Sequence, residues 1–284
     1  MSVIRSVVIL TSEPMARCWF VVSLILLSLS IASAQNPPQS DPRAVALATQ
    51  AMFALTNGIA VNDVTLSGNA VWTPGTEGQS GTATAYAKND IASRLDLVLK
   101  GESRTELRSS EGAFPRGAWI SADGKTTPSA SHNCWTDAAW FFPALTSLSA
   151  VNRTSISNSP AKLVLIYVGL ETRDDRPVQH IRSYQYLVGK TPRESLHVQE
   201  MSTVDYYLDA QTLVPLSLGF SVHPDNDAST NVAVEVEFSD YQQVKGILVP
   251  FHITKRWQGN PLLDLTVTNV AVNSGLPDNL FSSR

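Results

Sequence analysis

The 284-residue chain has only two cysteines, few charges (16% Asp, Glu, Lys and Arg) and no surplus of positive charge, its net charge being −4. Two thiols cannot build a disulfide scaffold. An acidic balance without clustered Lys and Arg excludes a nucleic-acid partner as the default, because phosphate neutralisation needs such clusters. The sequence has no Gly-rich phosphate loop, no GxSxG elbow, no HExxH and no CxxC, so the motifs that announce nucleotide, hydrolase, zinc-protease or redox chemistry are missing. His132, His180, His197, His223 and His252 stand at no ligand spacing, so neither a metal nor a cofactor is expected. What the chain does have is apolar content: 43%, with ordinary counts of 15 Gly and 16 Pro. That is enough for a real core and rules out a disordered or collagen-like chain.

The longest apolar run lies at the start. Trp19 to Ala34 (WFVVSLILLSLSIASA) carries no charge, follows Arg17 and ends in Ala32-Ser33-Ala34. A run this short with small residues at the last and third-last positions reads as a cleavable export signal rather than a membrane anchor, which needs about 20 apolar residues. Residues 1–34 are therefore expected to be a signal peptide, cut after Ala34. Met15, just before Arg17, would begin a leader of ordinary shape and is expected as the start. No comparable run follows Ala34, so the mature chain is expected to be exported, to periplasm or medium, without spanning a membrane. Cys18 leaves with the leader, and Cys134 remains as a lone thiol.

Residues 35–40 (QNPPQS) form a short linker, and residues 41–284 are expected to fold as one domain. Asp41 as N-cap, Pro42 at the first helical position and Gly58 as a stop frame a helix, with Val45, Ala48, Met52 and Leu55 on one face. From Val61 the period changes to two. Leu95, Leu97 and Leu99 alternate with Arg94, Asp96 and Lys100, and Arg104, Glu106 and Arg108 mark a polar face. Segments near 80–88, 117–122, 162–170, 179–187, 201–208, 213–222, 232–238, 247–255 and 262–271 also read as strands, with turn signals such as Asp123-Gly124 and Lys245-Gly246 between them. Strict alternation belongs to antiparallel sheets with one wetter face. About ten such strands are too many for a flat sheet, so the expected fold is mainly β (α+β): a curled antiparallel sheet or incomplete β-barrel.

One segment breaks the pattern. Residues 131–152 (SHNCWTDAAWFFPALTSLSAVN) suit a short helix through Trp135, Ala138, Ala139, Phe142 and Leu145, kinked or ended by Pro143. This helical insertion and the N-terminal helix are expected to cover the sheet. Its aromatics have two readings: a plain core element, or the lid or wall of a ligand cavity formed by Trp135, Trp140, Phe141, Phe142 and Leu145. His132 and Cys134 are the nearest approach to a reactive pair, but no orienting third group is evident, and a packed thiol is the simpler reading. No catalytic residue is assigned. Glu235 and Glu237 alternate with Val234, Val236 and Phe238, so they belong to a strand's polar face. Asp225-Asn226-Asp227 lacks the later ligands of a calcium loop and reads as a turn.

The C-terminal third carries a family pattern. Asp209, Thr212 and Pro215 make an Asp-x-x-Thr-x-x-Pro turn. Asp240, Tyr241, Gly246 and Pro250 follow in a hairpin, and Asn273, Pro277, Asp278 and Phe281 close the chain. This run resembles the closing strands of the LolA-like, lipoprotein-carrier (outer membrane lipoprotein-sorting) superfamily. The whole mature chain also resembles exported proteins of soil acidobacteria, with HNCWTDAAWFFPAL (132–145) as the shared element. The first resemblance implies an incomplete antiparallel barrel around helices, with an apolar cavity for acyl chains and carriage of lipoproteins or lipids through the periplasm. It also implies a cavity arginine, for which Arg94, Arg104 and Arg108 are the candidates. The expected role is a non-enzymatic binder of a hydrophobic or lipidated ligand or lipoprotein. The alternative is an envelope sensor that recognises a polypeptide, and a hydrolase ranks last.

Overall fold

Alternation governs what the chain builds. The computed structural model describes residues 38–111, 114–152 and 161–282; the leader, with Met15 and the cleavage site, lies outside them. The first helix, α1 (Pro42–Thr56), starts where Asp41 Oδ1 accepts from Arg43 N and stops at Asn57, whose left-handed backbone (φ 49°) ends the helix. Ala44, Ala48, Ala51, Met52 and Leu55 form its buried face.

Thirteen strands follow: β1 (Asp63–Trp72), β2 (Gln79–Lys88), β3 (Ala92–Leu99), β4 (Glu102–Glu111), β5 (Phe114–Ser121), β6 (Thr126–Pro128), β7 (Ala161–Arg173), β8 (Arg176–Leu187), β9 (Val204–Asp209), β10 (Pro215–Val222), β11 (Val232–Val244), β12 (Ile247–Trp257) and β13 (Asn260–Val272). They make a single antiparallel sheet in the order β6-β5-β4-β3-β2-β1-β13-β12-β11-β10-β9-β8-β7. Consecutive strands are neighbours except at β6 and β7, and β1 pairing with β13 stitches the two halves. The sheet is open: its two ends, β6 and β7, do not pair, so it is not a closed barrel. Its curl brings inner-face side chains of β4 and β12, five places apart in the order, within electrostatic reach of each other. One face carries Leu66, Ala85, Leu97, Tyr206, Leu218, Val236, Ile253 and Leu265, all buried; most of the charges lie on the other face, with Arg104, Glu106, Arg108 and Lys255 as inner-face exceptions.

Close backbone approach explains Gly81. A Cβ there would lie 2.1 Å from the Val98 carbonyl oxygen, so no side chain fits. At the β11–β12 hairpin, Lys245 (φ 50°) and Gly246 (φ 85°) both take the left-handed region that a two-residue turn matching the sheet's twist requires. Pro250 lies in the half of β12 that pairs with β11 but not with β13, so its missing N–H faces a free edge.

Three expectations need correction. Residues 131–152 form no α-helix. They run as 3-10 turns at Ser131–Cys134, Pro143–Leu145 and Ser147–Asn152, with Trp135 to Phe142 in bends and turns between them. Pro143 pushes Phe142 to extended backbone (φ −137°, ψ 97°), which blocks helix propagation. The strand expected from 201 begins at Val204, because Pro192–Ser202 is a second helix, α2, closed at its start by a Thr191–Glu194 capping box. And the sheet has thirteen strands rather than about ten. No helix among the described residues is long and apolar enough to cross a membrane.

Candidate functional site

The chain leaves the sheet at one open end, β6, and re-enters it at the other, β7. The insertion in between lies across the inner face, where α1 packs against its last two 3-10 turns. The N-terminus of α1 is fixed to the opposite end of the sheet: Asp41 N donates to the Leu165 carbonyl, and Leu165 N donates to Ser40 Oγ.

The insertion packs into one buried core with the inner face of the sheet and α1. Ala70 on β1, Ala83, Ala85 and Ala87 on β2, and Ala44, Ala48 and Ala51 on α1 belong to one buried cluster with Trp140, Phe141, Phe142, Leu145 and Leu148. Phe142 and Leu145 are 0% exposed, Phe141 1% and Trp140 2%. The concave face is thus filled, and the filling is aromatic. Trp135 is separate: it is half-buried and meets Phe114 edge-on, ring centroids 6.0 Å apart.

Polar groups fasten this filling. Asp137, 8% exposed, accepts from Ser147 N at 2.9 Å through Oδ1 and from the Tyr206 hydroxyl through Oδ2. The Ser147 hydroxyl lies 2.7 Å from Tyr206 Oη and 3.1 Å from Ser183 Oγ. Burial pushes the Asp137 carboxyl up to about 6, against the Tyr206 and Ser147 bonds that favour its ionised form, with the charge of Asp90 adding a further push upward. The same burial, with Asp137 beside it, holds the Tyr206 hydroxyl far above its ordinary value.

The three arginine candidates separate. Arg94 shares the outer face with Asp96, bonds it at 2.8 Å and reaches toward the Leu280 carbonyl, so it does not face the interior. Arg104 and Arg108 stand on the inner face. Arg108, 7% exposed, donates to the Asn133 carbonyl and to Thr136 Oγ1, tying the sheet to the insertion. His132 and Cys134 are not a pair: the imidazole faces the Pro224 carbonyl and His223, and the thiol points to the Ala130 carbonyl.

On the convex face the alternating polar residues form ion pairs. Arg173 bonds Glu235 at 2.6 Å, and Arg256 bonds Glu237 at 3.0 Å. His180, 5% exposed, lies 2.7 Å from both Glu171 and Asp205. Two open hollows of 320 and 300 Å³ flank the Arg173–Glu235 bridge, above the small residues Ser217 and Gly219 of β10. Asp225–Asp227 is a turn in which Asp227 caps Ser229 and Thr230, bonds that hold its carboxyl down to about 2.

Sequence reasoning missed Asp137, Tyr206 and Ser147 as a set. Asp137 is the one charge between Asn133 and Ser147, and that isolation was the available signal.

Two solved structures of comparable size share this architecture. An outer membrane lipoprotein-sorting protein domain from Vibrio parahaemolyticus superposes with a TM-score of 0.51 at 11% identity, covering 84% of this chain and 96% of its own. A DUF1329 family protein from Desulfovibrio piger superposes at 0.52 and 13% identity, covering 86% and 98%. The fold is LolA-like. At such identities the likeness concerns the fold alone. No family model matches the chain, and no curated protein matches it. Neither structure comes from an acidobacterium, so the likeness expected for the mature chain stays an expectation.

Proposed function

We propose that this is an exported, non-enzymatic binding protein of the cell envelope, a single domain over residues 41–284 that takes a hydrophobic or lipidated ligand on its concave face. One observation carries the reading. The buried core of the concave face includes Trp140, Phe141 and Phe142, which come from a segment that has no strand in the sheet. Such a segment can leave without unpairing any strand, and what it leaves behind is an apolar trough. The LolA-like fold, shared with a lipoprotein-sorting domain, supports the same reading. The insertion is then the resident occupant, exchanged for the ligand. Native mass spectrometry of protein purified from the envelope is expected to show bound lipid, and the delipidated protein to take up a fluorescent fatty acid. A protein that stays empty in both assays overturns the reading.

A second reading has its own support. The concave face is packed and the open hollows are on the convex side, which suits recognition of a polypeptide partner. A stoichiometric protein partner recovered from envelope extract, with no lipid, favours it.

A further inference from the structure

On the concave face one buried charge is left without a partner. Lys255, on β12, is 9% exposed. Among the described residues its ammonium has no hydrogen bond and no ion pair; it rests on the face of Trp140, 4.0 Å from the ring centroid. The Nε of Arg108, within electrostatic reach of Lys255, is buried without a hydrogen bond, 3.6 Å from a Glu106 carboxylate oxygen. Arg104 lies between Trp72 and Trp119, its guanidinium 5.1 and 4.4 Å from their centroids.

The charges do not balance. Among the described residues Glu106, 3.6 Å from Arg108 Nε, is the one carboxylate acting on Lys255, against the cations Arg108 and Lys255. Burying an ammonium without a partner is costly, and natural interiors rarely tolerate it without a reason. A buried polar group left unpaired marks a missing partner rather than a well-packed core. Burial depresses the Lys255 pKa, Glu106 opposes that shift and Arg108 adds to it, so an arriving anion would be held by a group that is poised to regain full charge.

Resting on the hydrophobic-ligand reading above, we infer that this corner is the headgroup site for an anionic amphiphile. The anion takes the Lys255 ammonium and the Arg108 Nε–H, which makes no hydrogen bond of its own. The acyl chain occupies the trough now filled by Trp140, Phe141 and Phe142. The aromatic rings that flank the cations supply flat apolar walls, and the cations supply the charge.

The test uses the full exported chain and three probes: lysophosphatidylglycerol, lysophosphatidylcholine of the same acyl length, and inorganic phosphate. The anionic lipid is expected to bind at least about tenfold more tightly than the zwitterionic one, the scale of one charge-assisted contact. Lys255→Met is expected to erase that preference and Lys255→Arg to keep it, with thermal melting of both variants confirming that they fold. Equal affinity for the two lipids in the wild type overturns the headgroup site while leaving the hydrophobic reading intact. Binding of neither lipid overturns both. Inorganic phosphate that competes as well as the anionic lipid overturns the amphiphile in favour of a free anion.

Discussion

Asp137 offers the sharpest test of how the insertion is held. Its carboxyl is buried beneath the insertion it belongs to, and burial raises its pKa to about 6, from the ordinary 3.8 of an exposed Asp. The folded protein therefore holds this proton more tightly than the unfolded chain does. Below the unfolded value both states are protonated and the contribution is at its most favourable. As pH rises from about 4 to about 6 the unfolded chain ionises first, and stability falls. Above about 6 both are ionised and the loss is complete. A difference of about two pK units, at 1.36 kcal/mol each, makes the loss about 3 kcal/mol. Asp137→Asn mimics the protonated state: its carbonyl keeps the bond from Ser147 N, and its amide faces Tyr206 as a donor. Melting temperatures of wild type and variant should run together near pH 4 and separate by pH 7, the variant becoming the more stable. For a chain of this size the gap is expected to grow by roughly 6–12 °C. Hydrogen exchange should place the wild-type loosening at residues 131–152. Parallel melting curves from pH 4 to 7 would refute the reasoning.

Three further outcomes follow from single contacts. The hydroxyls of Ser147 and Ser183 lie 3.1 Å apart, so the double variant Ser147→Cys, Ser183→Cys, in a Cys134→Ser background, should form a disulfide that clamps the insertion; fatty-acid uptake is expected to vanish when oxidised and return on reduction, and uptake by the oxidised form would remove the displacement idea. Gly81→Ala forces a Cβ to 2.1 Å from the Val98 carbonyl oxygen, whereas Gly169→Ala meets nothing within 4 Å; denaturant melts should show a loss of about 3 kcal/mol for the first and almost none for the second. Burial alone would lower the His180 pKa, but its bonds to Asp205 and Glu171 win and raise it; its stabilising charge is thus fully present below the unfolded value near 6.5 and is lost as pH climbs past the folded value, a decline that His180→Gln should abolish in pH-dependent melts.

Much of the sheet was legible because a single residue pattern decides it. In RLDLVLK the leucines all fell on the inner face, as period two requires. Lys245-Gly246 announced its hairpin, and Asp41-Pro42 its helix. The insertion was misread because aromatic content was allowed to stand for helical spacing, while Pro143 and the capping carboxylate of Asp137 favoured tight turns. The helix at Pro192–Ser202 had a visible start, Thr191-Pro-Arg-Glu194. The polar corner was half legible. In Phe251, Ile253, Lys255 a charge occupies the inward parity of an apolar row. That this lysine meets Trp140, Arg108 and Glu106 depends on a curl that joins strands distant in the sheet, and no local pattern encodes it.

Whether the insertion can yield to a ligand is finally a question of magnitudes. Trp140, Phe141 and Phe142 each remove about 150–250 Å² from water, which at ~25 cal/mol/Å² is worth about 4–6 kcal/mol apiece. Releasing all three therefore costs roughly 12–18 kcal/mol of burial, less the conformational freedom that the freed segment recovers. An acyl chain of about 16 carbons returns about 13 kcal/mol at ~0.8 kcal/mol per buried methylene. The two sums agree to within a few kcal/mol. An exchange so nearly balanced is decided by the polar fastenings: Asp137 with Tyr206 and Ser147 holding the insertion down, and the unpaired Lys255 ammonium waiting for a headgroup. A protein that needed only a solid core would have no reason to leave that ammonium unsatisfied beside it.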